Sequence, residues 1–158
     1  MKIVFIRHGQ TDWNKKKIQG HTNTALDGDG HRESHAISEA LDKDCIDLIF
    51  SSPLKRAYST IEPLAMRKQK AIICSKNLME RGFGIVEGFE IGNIKSAKSH
   101  EQKLILRKTG EKNFRPDGGE SLYDVYIRVK EFLDFLSIID VKGNVVCMTH
   151  GGVIDILY

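Results

Sequence analysis

Four short apolar runs, Lys2–Ile6, Asp47–Phe50, Ala71–Cys74 and Asn144–Met148, are separated by stretches with helical spacing. A strand buried on both faces reads as a continuous apolar run, not as an alternation, and Lys2–Ile6 is predicted to be such a strand. The stretches between supply helices. Gly30–Leu41 carries Ile37 and Leu41 four apart. The segment after Ser121 carries Val125, Val129, Phe132, Leu133 and Leu136 on one face. Ser121 and Asp124 have the spacing of a capping box, with Asp in place of the usual Glu. Ser52-Pro53 offers an N-cap followed by proline at the first helical position, so a helix is predicted to begin there. Lys95–Lys108 reads as a basic helix, and Gly152 onward begins another. Strands alternating with helices predict an α/β fold with a parallel sheet covered on both faces. Crossovers are expected to be right-handed.

The 158 residues fit a single domain spanning 1–158. A domain of this size builds a core without disulfides or a structural metal. Apolar runs never exceed four residues, so no membrane span is expected, and Ile3-Val4-Phe5-Ile6 is too short for a signal-peptide core. Lys and Arg number 24 against 21 Asp and Glu. That balance is too mild to imply nucleic acid as a partner, and it suits a small anionic substrate. Cys45, Cys74 and Cys147 are odd in number and form no CxxC pair, which points to a reduced, cytoplasmic protein. Cys147 is expected to be a buried strand residue. The sequence carries no signal of an oligomeric state.

In open parallel sheets, ligands bind beyond the carboxyl ends of the strands. Three of those ends carry related chemistry. The first run leads into Arg7-His8-Gly9 and the fourth into Thr149-His150-Gly151-Gly152. The second leads into Ser51-Ser52-Pro53, with Arg56 one turn further on. Arginine presents a planar fork that matches phosphate oxygens. Helix N-termini following the strands add amide donors for an anion. Glycine after each histidine permits a sharp turn and close approach of a ligand. A neutral imidazole is a nucleophile near pH 7 and can carry a phosphoryl group. The departing alkoxide needs an acid, for which Glu80 in Leu78-Met79-Glu80-Arg81 is the candidate. Taken singly, each residue has an ordinary reading: a satisfied strand-end histidine, a solvated arginine, a surface carboxylate. Their joint placement carries the inference.

With these residues in place, the chain resembles the histidine phosphatase (phosphoglycerate mutase-like) superfamily. The matching segments are Arg7-His8-Gly9-Gln10-Thr11-Asp12-Trp13-Asn14, Leu26 with Gly30, and Ser51-Ser52-Pro53-Leu54-Lys55-Arg56-Ala57. They continue through Glu80-Arg81-Gly82-Phe83-Gly84 with Glu87-Gly88, Gly119-Glu120-Ser121 and His150-Gly151. The resemblance implies a three-layer α/β/α sandwich with a mostly parallel central sheet, and metal-free phosphoryl transfer without a cofactor, on a small phosphorylated metabolite. By that resemblance His8 is the phosphorylated nucleophile, and His150, Arg7 and Arg56 bind and stabilise the phosphoryl group. Glu80 protonates the leaving group and later activates water. Asn14 contacts the phosphoryl group, and Gly151 adds a backbone amide. Members of the superfamily run on past the second His-Gly. This chain stops at Tyr158, about two turns into that helix, and is expected to be short at its C-terminus.

A phosphatase is favoured over a mutase, because the chain lacks mutase-like insertions and Glu80 is followed by Arg81-Gly82-Phe83-Gly84, not by a His-Tyr pair. Mutase-type transfer and a catalytically weak phospho-ligand binding module are the alternatives. Other phosphatase chemistries fail in the text: no cysteine has arginine six positions on, and no GxxxxGK[ST] loop occurs. Asp42-Lys43-Asp44 reads as a polar helix end. His31 and His35 stand four apart without a third ligand, the pattern of solvated histidines and not of a metal edge. The basic segment 85–117 is expected to form a lid or specificity segment, with Ile105 and Leu104 or Leu106 docking it; a solvated basic helix is its plain alternative.

Overall fold

The computed structural model describes residues 2–90 and 100–158. Its strands are β1 (Ile3–Arg7), β2 (Ile46–Ser51), β3 (Ile72–Cys74) and β4 (Asn144–Thr149). Its helices are α1 (Gly28–Ala40), α2 (Lys55–Lys68), α3 (His100–Lys108), α4 (Leu122–Ile138) and α5 (Gly151–Leu157), with short 3-10 turns at Lys76–Leu78 and Gly84–Val86. Every strand pairing is parallel, in the order β1-β4-β2-β3.

Strand β4 lies inside the sheet and its side chains divide cleanly. Val146 and Met148 pack with Ile49, Ala57, Ile61 and Leu64 under α2, where Ile37 and Leu41 of α1 also reach. Val145 and Cys147 face the other way, onto Phe50, Leu78, Phe132 and Leu136 under α4. Helix α5 packs its Val153 against Val125 and Val129 of α4. Two helical layers therefore enclose one sheet, the predicted three-layer α/β/α sandwich.

This topology opens a crevice. The chain leaving β1 turns to the α1/α2 layer, whereas the chain leaving the adjacent β4 turns to the α4/α5 layer. Adjacent strands whose connections diverge leave a gap at their carboxyl ends, where ligands of such sheets bind. His8 and His150 each follow the paired residues Arg7 and Thr149.

Several local expectations need correction. β1 is only partly buried, because it forms an edge of the described sheet and not an interior strand. Helix α2 begins at Lys55, with Leu54 as N-cap and no side-chain cap bond. The Ser52 hydroxyl is instead directed to His150 and to the amide of Leu54. Helix α1 starts earlier than its apolar spacing indicates, because the Asp27 carboxylate accepts from the Gly30 amide. Of the predicted Lys95–Lys108 helix, His100–Lys108 is helical, and 95–99 lie outside the described residues. The capping box is present as predicted, with Ser121 Oγ accepting from the Asp124 amide and Asp124 from the Ser121 amide. Val125, Val129, Phe132 and Leu136 are buried beneath α4, with Leu133 half-buried beside them.

Among the described residues, no helix is long and apolar enough to cross a membrane. The three cysteines are unpaired, and burial pushes the Cys147 thiol up to about 12, which removes it from thiolate chemistry.

Candidate active site

A cavity of about 210 Å³ opens at the crevice, and Arg7, His8, Asn14, Arg56, Glu80 and Gly151 all line it. His150 lies just beneath, fully buried, its ring centroid 5.0 Å from that of His8. The structure thus brings every predicted site residue to one place.

The His8 ring is held at both nitrogens. Nδ1 lies 2.7 Å from the Gly9 carbonyl oxygen, and since a carbonyl only accepts, Nδ1 carries the proton. Nε2 accepts from Arg56 Nε at 3.2 Å, so Nε2 holds the lone pair. Burial lowers the His8 pKa from 6.5 to about 4, against the Gly9 carbonyl, which raises it; Arg56 and Arg7 lower it further. The ring is therefore neutral at physiological pH. His150 lies well below its ordinary value for the same leading reason, burial, with Arg56 and His8 adding to it. Its Nε2 shares a 2.8 Å hydrogen bond with Ser52 Oγ, while Nδ1 is buried with no partner.

Two consequences follow for pH. First, the acid limb of kcat/KM is expected near pH 4 and not near 6.5, which a pH profile on a small aryl ester measures. Second, unfolding returns His8 to 6.5, so the unfolded chain binds the extra proton and stability falls as pH drops from 6.5 toward 4. The loss is on the order of 3 kcal/mol. Urea midpoints across that window are expected to show the stability of wild type falling relative to that of His8→Gln as the pH drops.

Arg56 is completely buried, and among the described residues no carboxylate is directly bonded to it, although Glu80 and Glu87 lie near enough to favour its charge. Its Nη1 and Nη2 donate to the carbonyls of Thr22 and Gly20, each at 2.9 Å, which among the described residues leaves two of its five N–H groups for a ligand. Burial lowers its pKa to about 10, so it remains a cation at neutral pH. Asn14 Oδ1 accepts from the Thr11 amide, Thr11 Oγ1 and Gln19 Nε2, which leaves its amide nitrogen to donate into the cavity. Arg7 is exposed at the rim.

Glu80 is aimed by its neighbours. Its Oε1 accepts from the Arg81 amide at 2.9 Å, and Oε2 lies 3.4 Å from the Gly152 amide. Its carbonyl accepts from His21 Nε2 at 2.7 Å and Arg128 Nη2 at 3.0 Å. Both donors also meet Glu120, whose carboxylate takes Arg128 Nε at 2.9 Å and the Gly82 amide at 2.8 Å. Burial pushes Glu120 up, but His21, Arg128 and Gly82 outweigh it and bring it down to about 2. His21, Arg128 and Arg81 were absent from the predicted site. Glu120 and Arg81 were visible only as parts of matched segments. The bonds of His21, Arg81 and Arg128 go largely to backbone carbonyls, which leave no trace in residue type.

Gly9, after His8, and Gly152, one residue beyond the His150-Gly151 step, are both crowded, for different reasons. A Cβ on Gly9 would meet the Gly30 carbonyl at 2.7 Å, so this glycine admits helix α1 and not a ligand. A Cβ on Gly152 would lie 2.5 Å from Glu80 Oε1. Gly152→Ala is therefore expected to displace the Glu80 carboxylate and lower kcat on alkyl esters by about tenfold, while alanine in a helix leaves stability equal or higher. Kinetics paired with a urea midpoint test both halves.

His31 and His35 are exposed on α1, and among the described residues no group of three or more His, Cys, Asp or Glu could hold a metal ion.

The sequence pattern of the histidine phosphatase superfamily, branch 1, matches residues 3–158. The chain belongs to that superfamily. It is 32% identical to phosphoglycerate mutase-like protein 4 of Arabidopsis thaliana, over 99% of this chain and 69% of that protein. It is 28% identical to phosphoserine phosphatase 1 of Hydrogenobacter thermophilus, over 95% and 71%. Among solved structures, mycobacterial glucosyl-3-phosphoglycerate phosphatase with VO3 superposes with a TM-score of 0.84 at 31% identity, covering 98% of this chain and 78% of that one. Its relatives thus include both phosphatases and mutase-like proteins.

Proposed function

We propose that the protein is a phosphomonoester hydrolase that works through a phosphohistidine on His8, without a metal or organic cofactor. The observation that carries this reading is the His8 ring. Its proton is committed to Gly9, and its lone pair sits on the nitrogen beside Arg56, in a cavity shared with Arg7, Asn14 and Glu80.

Attack of Nε2 on phosphorus forms the P–N bond as the P–O bond to the leaving alcohol breaks. Glu80 in its acid form gives its proton to that departing oxygen. The Gly9 carbonyl, already bonded to Nδ1–H, supports the positive charge that the ring acquires. Arg7 and Arg56 balance the phosphoryl oxygens, the usual source of such stabilisation. The Asn14 amide, the unpartnered His150 Nδ1 and the Gly151 amide supply further contacts. Glu80, now a carboxylate, takes a proton from water; the water oxygen attacks phosphorus, the P–N bond breaks, and inorganic phosphate leaves. The segment 85–117 is read as a lid or specificity segment; of its expected docking residues Leu104 is exposed and Ile105 half-buried, and 91–99 lie outside the described residues, as does the Leu106 side chain.

Mutase-type return of the phosphoryl group to a second hydroxyl is the other reading, favoured by the name of the Arabidopsis relative. Release of inorganic phosphate from an aryl phosphomonoester in the presence of a chelator tests the proposal. Turnover unaffected by chelator is the expected result. Chelator-sensitive turnover restored by a metal overturns the metal-free scheme, and isomer formation without phosphate release overturns hydrolysis.

A further inference from the structure

Arg56 and Glu80 come from different parts of the chain, yet one short segment touches both. The Gly20 and Thr22 carbonyls accept from Arg56 Nη2 and Nη1, each at 2.9 Å. His21, between them, donates from Nε2 to the Glu80 carbonyl at 2.7 Å. A carbonyl can hold a guanidinium in one place only if the carbonyl is itself fixed. Residues 20–22 lie outside the helices and strands, so no regular ladder fixes them.

Glu87 supplies the fastening. Its Oε1 accepts from the His21 amide at 2.8 Å and from the Phe83 amide at 3.0 Å. Its Oε2 accepts from Thr22 Oγ1 at 2.7 Å. One carboxylate thus joins the segment that holds Arg56 to the turn that follows Glu80. Hydrogen bonds to an ionised acceptor are stronger than neutral ones, and three of them fix the side chain. The backbone is shaped around this carboxylate. Gly20 has φ 50°, and a Cβ there would overlap Glu87 Oε1, so the position requires glycine on both counts. Beside it the two stretches pair, with Gly88 N donating to Ile18 O at 2.8 Å and Ile18 N to Phe89 O at 2.9 Å. Gly20 lines the catalytic cavity, but Glu87 is not among its lining residues.

We propose that Glu87 is a positioning residue for Arg56 and Glu80 together: by fastening residues 20–22 to the turn at Phe83, it sets the phosphate-binding guanidinium and the acid relative to each other. This rests on the hydrolase reading above and adds to it a carboxylate that touches neither phosphate nor leaving group. A catalytic group displaced by about 1 Å can lose about 100-fold in rate, so a fastening at this distance from the chemistry has a kinetic signature.

Two readouts on folded protein test it. The dissociation constant of inorganic phosphate reports Arg56. The ratio of kcat/KM on an alkyl ester to that on an aryl ester reports proton delivery by Glu80. Glu87→Ala loses all three bonds, and it is expected to weaken phosphate binding about tenfold and to lower the alkyl-to-aryl ratio about tenfold. Glu87→Gln keeps the shape: its Oε1 can accept from both amides, and the Thr22 hydroxyl can turn to accept from Nε2. It is expected to hold both readouts within about threefold of wild type. Thr22→Val removes only the hydroxyl bond, and a shift of both readouts by about threefold in the same direction is expected. That variant carries the test if Glu87→Ala does not fold. A lower urea midpoint with both readouts unchanged means a purely structural role and overturns the proposal. Loss in one readout alone overturns joint positioning. Equal loss in Glu87→Gln and Glu87→Ala overturns it too, since the effect then belongs to the negative charge that favours the Arg56 cation and not to the bonds. Folded wild type that turns over neither ester overturns the hydrolase reading, and the positioning role with it.

Discussion

Alanine at position 8 is expected to eliminate turnover, with a loss of about 10,000-fold or more in kcat, the scale at which a covalent nucleophile differs from its empty place. No neighbouring group takes over. His150 lies beneath the cavity with Nε2 bound to Ser52, and Glu80 is held by the Arg81 amide. The substitution also removes the acceptor of Arg56 Nε, but that guanidinium keeps its bonds to Thr22 and Gly20. The variant should therefore fold and still bind phosphate. Phosphate release and a binding titration, run together, separate lost chemistry from a lost site. Activity close to wild type in a folded His8→Ala protein is incompatible with the covalent scheme.

Glu80→Gln carries the second large effect, and its signature is selectivity. Glutamine keeps the shape and can still accept from the Arg81 amide. It cannot deliver a proton. Alkyl esters, whose alkoxides leave poorly, are expected to slow by about 100- to 10,000-fold, the range of general acid catalysis. Aryl esters with acidic phenols need little help in leaving, so formation of the phosphohistidine from them should change far less. A pre-steady-state burst on the aryl ester reads that step apart from hydrolysis of the intermediate. Equal loss in both classes would sink the acid role and recast Glu80 as a binding residue.

The architecture was legible because its core is arranged in runs. β4 is covered on both sides, and its apolar sequence declares it. β1 has a similar composition yet sits at an edge of the described sheet, and composition alone does not distinguish the two positions. The histidines, arginines and Glu80 could be grouped because each stands near a strand end, and topology gathers strand ends. Ser52 shows where local rules stop: it has the identity and spacing of a helix cap, but a histidine almost a hundred positions away takes its hydroxyl. Arg81 is similar. Its guanidinium reaches the carbonyls of Thr109, Phe114 and Glu120, and no sequence pattern announces a partner that is backbone. The braces on Glu80 by His21 and Arg128 belong to the same class.

The burial of Arg56 with the two uncharged histidines has an energetic corollary. A cation withdrawn from water and bonded mainly to carbonyls is under-compensated, and a buried ring nitrogen without a partner adds to that debt. An anion entering the crevice supplies what both lack, and it does so only in the native state. By mass action, a ligand at a hundred times its dissociation constant shifts the folding equilibrium by about 2.7 kcal/mol. A ligand of the proposed site is thus expected to act also as a reversible reinforcement of the fold.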